Sequence, residues 1–502
     1  MAIELKRVGL DVRIIDKADH LARHSQALVV QSRTLELFQR YGIASEAVEQ
    51  GTKLKRFKFF SEGKNLFSVD FDQIESQYPY ILFLPQNKTE QILNRHMESL
   101  GVRAERGVEL LSFFQTDDEV LAKLRTADGV EEEFPYRWIV GCDGAHSPVR
   151  DLASIPFEGG GVDLSFFLGD LEIEGPDAPG DNLAVHLSGG DVVFMGRLDD
   201  RLTRVIVALH SNSILPPDVD LGAQIRELTI QDFQTAADHA KVNIKVLSGE
   251  WMTPFHVRDL QAKRYRVKNA FLVGDAAHIH SPVGGQGMNT GIQDAANLGW
   301  KMAAVSQGAP EALLDTYEEE RAEVGRALLR FTERGLKMST LSNPVLERVR
   351  DTILPIIAGT HSAQRAILGF ISETWIEYRS SHESEDLGGD GSLRAGDRMP
   401  DISIADGQTL LGNWTSANHL AVFYNTTERD EFRLIELLPP IDMTVLRRKN
   451  LDEGGQHLFG TEAKLFLVRP DGYIGFRGPA DMVRDLKGYS RRVGLAGVLA
   501  RV

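Results

Sequence analysis

The chain has 502 residues, enough for roughly two to four domains, and carries 42% hydrophobic residues, 25% charged residues and a formal net charge of −16. That acidity argues against a general nucleic-acid binder and gives no attraction to anionic membranes. Cys142 is the only cysteine, which excludes an intrachain disulfide, a cysteine-based zinc cluster and a dithiol redox pair, and a reducing cytoplasm fits a chain with no membrane-length apolar run and no signal-peptide core.

In chain order, Ala2 to Arg7 reads as a helix with apolar residues on one face and Gly9 placed to end it. Asp11 to Asp16 follows as a strand, and an acidic residue at such a strand end can bind a ribose 2′-OH, which makes Asp16 a candidate. A dinucleotide fold would place a strand and a G-x-G-x-x-G turn, roughly 20 residues together, directly before this helix. The sequence holds no such turn, so it is expected to start inside the first helix, either shortened or a genuine variant.

Lys53 to Phe71 alternates basic and aromatic residues, as strands around a pocket do. Phe134 to Arg150 holds a strand (Trp138 to Val140) running into Gly141-Cys142-Asp143-Gly144, with Asp143 the candidate ligand group, Arg150 a partner for a phosphate, and Cys142 expected in the core. Phe157 to Trp251 has short β-rich runs split by SGGD and DDRL turns, the pattern of an antiparallel meander, interrupted by a helix from Leu221 to His239. Phe166, Phe167, His186, Phe194, Met195 and Arg197 there could line an aromatic pocket, although alternate positions on such strands also build plain core.

Ala270 to Lys301 is the centre of the chain: a buried strand ending at Gly274-Asp275, a glycine-rich loop, and a helix. Gly284, Gly285, Gly287 and Gly291 let a flat or charged ligand touch backbone, and the helix start offers free N–H groups and a positive dipole end. Asp275 stands where open α/β sheets bind ligands and can accept hydrogen bonds from sugar hydroxyls. Leu313 to Leu329 reads as a helix whose charges form a solvated face. Ser380 to Gly396 is polar and glycine-rich, and beyond it Leu420 to Tyr424 and Leu465 to Phe476 read as a strand and a hairpin turned at Asp471-Gly472.

The Ala270 to Lys301 stretch resembles the second flavin motif of the para-hydroxybenzoate hydroxylase-like (class A) FAD-dependent aromatic monooxygenases. Gly141 to Gly144 resembles their DG motif, which serves both FAD and the nicotinamide cofactor, and the tail resembles the thioredoxin-like C-terminal domain of phenol hydroxylase relatives. The resemblance implies an α/β fold: an N-terminally truncated, Rossmann-like FAD-binding domain from 1–160 plus 255–380, with 55–83 contributing to an antiparallel β-rich substrate domain at 161–254. A linker at 381–396 and a thioredoxin-like domain at 397–502 complete it, the latter a possible homodimer contact.

The same resemblance assigns FAD to Asp16, Arg33, Gln86, Asp143, Asp275, Gly284, Gly285, Gly287, Met288 and Asn289. Arg33 enters because many relatives carry arginine where Gln26 stands; a solvated helix-start role is its alternative. Pro282, beside the flavin ring, and His280, for proton traffic, are the catalytic candidates, and no metal is implied. NADPH or NADH would reduce FAD, and O₂ captured as a C4a-hydroperoxide would hydroxylate a phenolic or other aromatic small molecule. Epoxidation, polyketide modification or a flavin-poor non-catalytic protein are the alternatives, the last because the first glycine turn is missing.

Overall fold

The computed structural model describes residues 1–21, 27–161, 165–209, 227–255, 258–280, 285–404, 408–435, 438, 441–480 and 483–495. Ile139–Gly141 and Ala270–Leu272 run parallel, Gly141 opposite Leu272, and both strands end in turns at the same edge. Phe271 and Leu272 have no exposure, which suits a strand covered on both faces. Ile14–Asp16 pairs in parallel with Ala104–Arg106 as a separate ladder; among the described residues no strand pairing joins it to the first.

The 20-residue helix Gly287–Ser306 joins these pieces. It is buried nearly all round, and small residues let its neighbours approach closely. A Cβ on Gly299 would lie 2.6 Å from Glu4 Cβ, so the Ala2–Arg7 helix seats directly on its backbone. Helices Asp315–Ser339, Pro344–Ala358 and His361–Ser372 follow. The charged run in the first of these is expected from sequence to form a solvated face; instead Glu320 and Arg321 are buried, because both find partners inside.

The second unit is a seven-stranded sheet in the spatial order Lys245–Phe255, Ser165–Glu174, Thr203–Leu209, Asp191–Arg197, Asn182–Ser188, Arg56–Ser61, Lys64–Asp70. All neighbours are antiparallel except Asn182–Ser188 with Arg56–Ser61. Alternation gives the sheet two unlike faces. Phe167, Val193, Met195, Val205 and Val207 pack under the helix Ile230–His239, which starts where Thr229 and Asp232 cap it reciprocally. Residues 221–226 of the longer helix read from sequence lie outside the described residues. Phe57, Phe67 and Phe194 stand on the other face, half-buried.

The C-terminal unit is a mixed sheet ordered Glu385–Asp386, Ile474–Pro479, Lys464–Val468, Leu420–Tyr424, Asp442–Leu446. Its last four strands follow the thioredoxin order: a parallel pair, Leu420–Tyr424 with Asp442–Leu446, continued by two antiparallel neighbours. The segment 381–396, read as a linker from its composition, is tied down instead. Ser381 and Glu383 are buried, Glu385 and Asp386 add a strand to the sheet, and Ala395 N donates to Asp386 Oδ2 at 2.9 Å. Polar residues with partners in reach do not make a free tether.

Candidate functional site

Two strand-end turns and one helix start meet at the carboxyl edge of the parallel pair. Asp143 is exposed, and its Oδ2 accepts from Val149 N at 3.0 Å, closing the turn in which Gly144 takes φ +77°. Arg150 is buried, and rather than waiting for a phosphate it donates to Ala145 O at 2.9 Å and to Ala276 O at 3.2 Å. The two turns are thereby fastened together. Cys142 is exposed between them, which corrects the core position expected for it.

Gly274, at φ +63°, packs backbone on backbone against Gly291 and directs Asp275 outward. Asp275 is exposed with no hydrogen-bond partner among the described residues; burial of its surroundings pushes its carboxyl up, His278 opposing and Asp294 adding. The facing helix has Gln286 at its N-cap, and among the described residues no side chain caps its first turn. Its free N–H groups and dipole therefore remain available to an anion. A Cβ on Gly287 would lie 3.9 Å from Asp275 Oδ1 and 3.7 Å from His280 Nε2, so carboxylate, imidazole and helix start share one small space.

Behind them, Gly285 at φ +64° lies so close to Val29 that a Cβ would sit 2.6 Å from Val29 Cγ2. Asn289 locks this contact: its Oδ1 accepts from Gln31 N at 2.9 Å, and its Nδ2 donates to Val29 O at 2.8 Å and Gly285 O at 2.9 Å. Gln86 Oε1 accepts from Ala27 N at 3.0 Å, pinning the start of the same strand. Met288 is half-buried in the apolar cluster around Leu35 and Phe38.

The structure thus brings together Asp143, Asp275, His280, Gly285, Gly287, Met288 and Asn289, with Gln86 attached through Ala27. Asp16 stands at the end of the separate ladder, its carboxylate taken by Ala18 N at 2.9 Å and Arg106 Nη1 at 2.6 Å. Arg33 is placed elsewhere: it is buried, donates to Glu36 Oε2 at 2.8 Å and to Asp471 O, and lies over the Tyr473 ring. Two of its nitrogens are thus committed to Glu36 and to the C-terminal unit, and the solvated alternative is excluded by its burial. Pro282, Gly284 and Gln26 lie outside the described residues.

Of the six residues considered for an aromatic pocket, Phe167 and Met195 are core under the helix Ile230–His239. His186 is buried against the Phe60 ring, 4.4 Å between centroids, and burial lowers its pKa to about 4. Arg197 pairs with Asp200 at 2.5 Å at the surface. Phe166 is buried beside Leu336 and Phe255, and Phe194 remains on the half-buried wall. The sequence reading missed Val29, which belongs to the same apolar cluster as Phe57, Phe67 and Phe194 and so carries that wall to the glycine loop. It also missed the polar residues beneath the site, for which Asp294, a charged residue among the small and apolar residues of its helix, was the available signal.

The FAD binding domain family model matches residues 1–332, and the chain belongs to that family. Among its relatives, an aromatic compound monooxygenase of Bacillus subtilis is 32% identical over 487 residues, 95% of this chain and 91% of that protein. Pentachlorophenol 4-monooxygenase of Sphingobium chlorophenolicum is 31% identical, covering 96% of this chain and 91% of that one. The solved OxyS anhydrotetracycline hydroxylase of Streptomyces rimosus superposes with a TM-score of 0.77 at 27% identity, covering 98% and 96% of the two chains. The chain is an FAD-dependent monooxygenase of the aromatic hydroxylase class. The open helix start and the cradle where a Cβ on Gly287 would fit are suited to FAD. Among the described residues no metal-holding cluster is present, and no helix is long and apolar enough to cross a membrane.

Proposed function

We propose that this monooxygenase hydroxylates a phenolic ring, with NADPH or NADH as reductant, at the space where Asp275, His280 and the Gly287 helix start face the Phe57–Phe67–Phe194 wall. The meeting of Asp275, His280 and the Gly287 helix start, with Val29 linking Gly285 to the apolar cluster that holds Phe57, Phe67 and Phe194, is the observation that supports the reading. FAD, when bound, supplies a ring that accepts hydride and passes the electrons to O₂. Asp275 accepts hydrogen bonds from the cofactor's ribityl hydroxyls. The uncapped first-turn N–H groups at Gly287, Met288 and Asn289 favour negative charge on the reduced ring. The half-buried rings orient an aromatic substrate and keep water away. His280 holds or releases a proton at Nε2. Asp143 and Gln86 secure the cofactor's other contacts, and Pro282 and Gly284 complete the loop by their place in the sequence.

NADPH or NADH consumption stimulated by simple phenols, with an added hydroxyl in the product, is the expected result. No stimulation by any phenol would overturn this reading. A second reading, a fused-ring polyketide as substrate, is favoured by the relatives named anhydrotetracycline monooxygenase and rifampicin monooxygenase. Stimulation by fused-ring compounds alone would select it. A cytoplasmic homodimer joined through the C-terminal unit completes the proposal, and sedimentation at monomer mass would remove the dimer.

A further inference from the structure

Asp294 lies two turns into the Gly287–Ser306 helix and has no exposure. Its Oδ2 accepts from Gly274 N at 3.0 Å and from His278 Nε2 at 2.7 Å, and its Oδ1 accepts from Arg321 Nε at 2.5 Å. An ionised carboxylate only accepts, so His278 carries a proton on Nε2. His278 Nδ1 is buried without a partner among the described residues, which leaves Asp294 as the one hydrogen bond orienting that ring. Arg321 is fixed in turn by Thr290 O at 3.1 Å and the Tyr378 hydroxyl at 2.7 Å. Burial pushes Asp294 up, but Arg321 and His278 outweigh it and hold it at about 2, so it stays charged throughout the neutral range.

Two of the three groups that Asp294 holds, Gly274 and His278, adjoin groups facing the cofactor space. Gly274 immediately precedes Asp275; its backbone packs against Gly291, and its amide ties the turn to Asp294. The His278 ring lies nearly parallel to the His280 ring, 6.4 Å between centroids and 11° between planes.

We propose that Asp294 is a positioning residue for the cofactor site: through Gly274 and His278 it fixes how far the Asp275 carboxylate and the His280 imidazole reach toward the ribityl chain and ring of FAD. This rests on the flavin reading above. A carboxylate that only neutralises Arg321 would stabilise the fold without tuning the site, and the two roles separate experimentally.

The test uses the full chain, Asp294→Asn, and Lys301→Met as a control that removes a buried charge from the same helix away from the site. Amide exchange at Gly274 is measured without FAD, and FAD is then titrated while the flavin absorption bands are recorded. In Asp294→Asn, exchange at Gly274 accelerates about tenfold or more, FAD affinity falls about tenfold and the bands shift. Lys301→Met leaves all three within about twofold of wild type or unshifted, although it unfolds more easily. Unchanged exchange and affinity in Asp294→Asn overturns the proposal, as does an equal loss of affinity in Lys301→Met. Should Asp294→Asn not fold, His278→Gln decides: affinity falls about threefold with Gly274 exchange unchanged, and an unchanged affinity overturns the proposal. Wild-type protein that takes up no FAD would sink the flavin reading instead, and the Gly274 exchange would still decide whether Asp294 anchors the turn.

Discussion

The Gly287–Ser306 helix carries two buried charge clusters, and they are built on opposite principles. Toward the helix start, Asp294 meets His278 and Arg321, while Thr290 donates to Glu373 at 2.9 Å and Gln293 donates to it as well. Toward the C-terminal unit, Lys301 and Asn297 meet Glu320 at 2.8 and 2.6 Å, and Arg469 grips Glu320 with two bonds at 2.7 and 2.9 Å. Asp471 completes that side through Arg469 and Asn297. Glu320 and Arg321 are consecutive, yet the rotation of about 100° per residue sends one into each cluster. At the rear, two cations and two carboxylates are mutually paired, and Arg469 with Lys301 overcomes burial to hold Glu320 well below the usual carboxylate range. At the front, burial wins at Glu373, raising it to about 8, while Asp294 is held at about 2. The rear is a bolt between units; the front keeps one carboxyl protonated in the neutral range beside the first turns of the Gly287–Ser306 helix.

Breaking the bolt gives the largest effect. Arg469→Met leaves Glu320 and Asp471 buried with fewer partners and is expected to cost about 3–5 kcal/mol in denaturant unfolding. The front then sharpens the contrast through pH. Glu373 is raised above its unfolded value near 4.5, so the folded state binds the extra proton between that value and about 8. Its contribution is complete below about 4.5, is lost as pH rises through 8, and stays lost above. Melting curves should fall in Tm across that window in wild type, and Glu373→Gln, which mimics the protonated shape, should flatten the fall. Equal slopes in the two proteins would show that Glu373 ionises freely. Next in size, Asp275→Ala removes a hydrogen-bond acceptor that the fold itself does not use, weakening FAD by about 1.5–3 kcal/mol with little change in unfolding; equal FAD affinities would remove Asp275 from the site.

How much of this the sequence disclosed follows from what each residue answers to. The places of Asp275, Gly285 and Gly287 in the fold were legible because they are local: a strand end, a positive φ and a helix start are written in neighbouring residues. The seven-stranded sheet was legible as alternation, but not which face stays open, since that depends on where the helix Ile230–His239 lands. Glu320 and Arg321 were misread because charged runs on helices usually face water, and their partners Arg469 and Asp294 come from distant or separately read segments. Cys142 was misplaced for a related reason: a thiol has no preference strong enough to overrule a turn that leaves it outside. The 381–396 segment has a linker's composition, and only the sheet edge at Ile474–Pro479 turns Glu385 and Asp386 into a strand.

Arg33 cuts the contrast most finely, because the family resemblance offers it to the cofactor, with a solvated helix start as the alternative, and the structure ties it to Asp471 of the bolt. Its two directed contacts, Glu36 on its own helix and Asp471 O in the C-terminal hairpin, need the planar fork of a guanidinium. Lysine keeps the charge near Glu36, which Arg398 also holds at 2.8 Å, but it cannot reach both partners. Arg33→Lys is therefore expected to cost about 1 kcal/mol of stability and to leave FAD affinity within about twofold of wild type. Unfolding and FAD titration on the same preparation check both halves. A tenfold loss of FAD affinity with unchanged stability would return Arg33 to the cofactor site, and it would mean that the hairpin's grip on the helix Ser32–Tyr41 opens when FAD is bound.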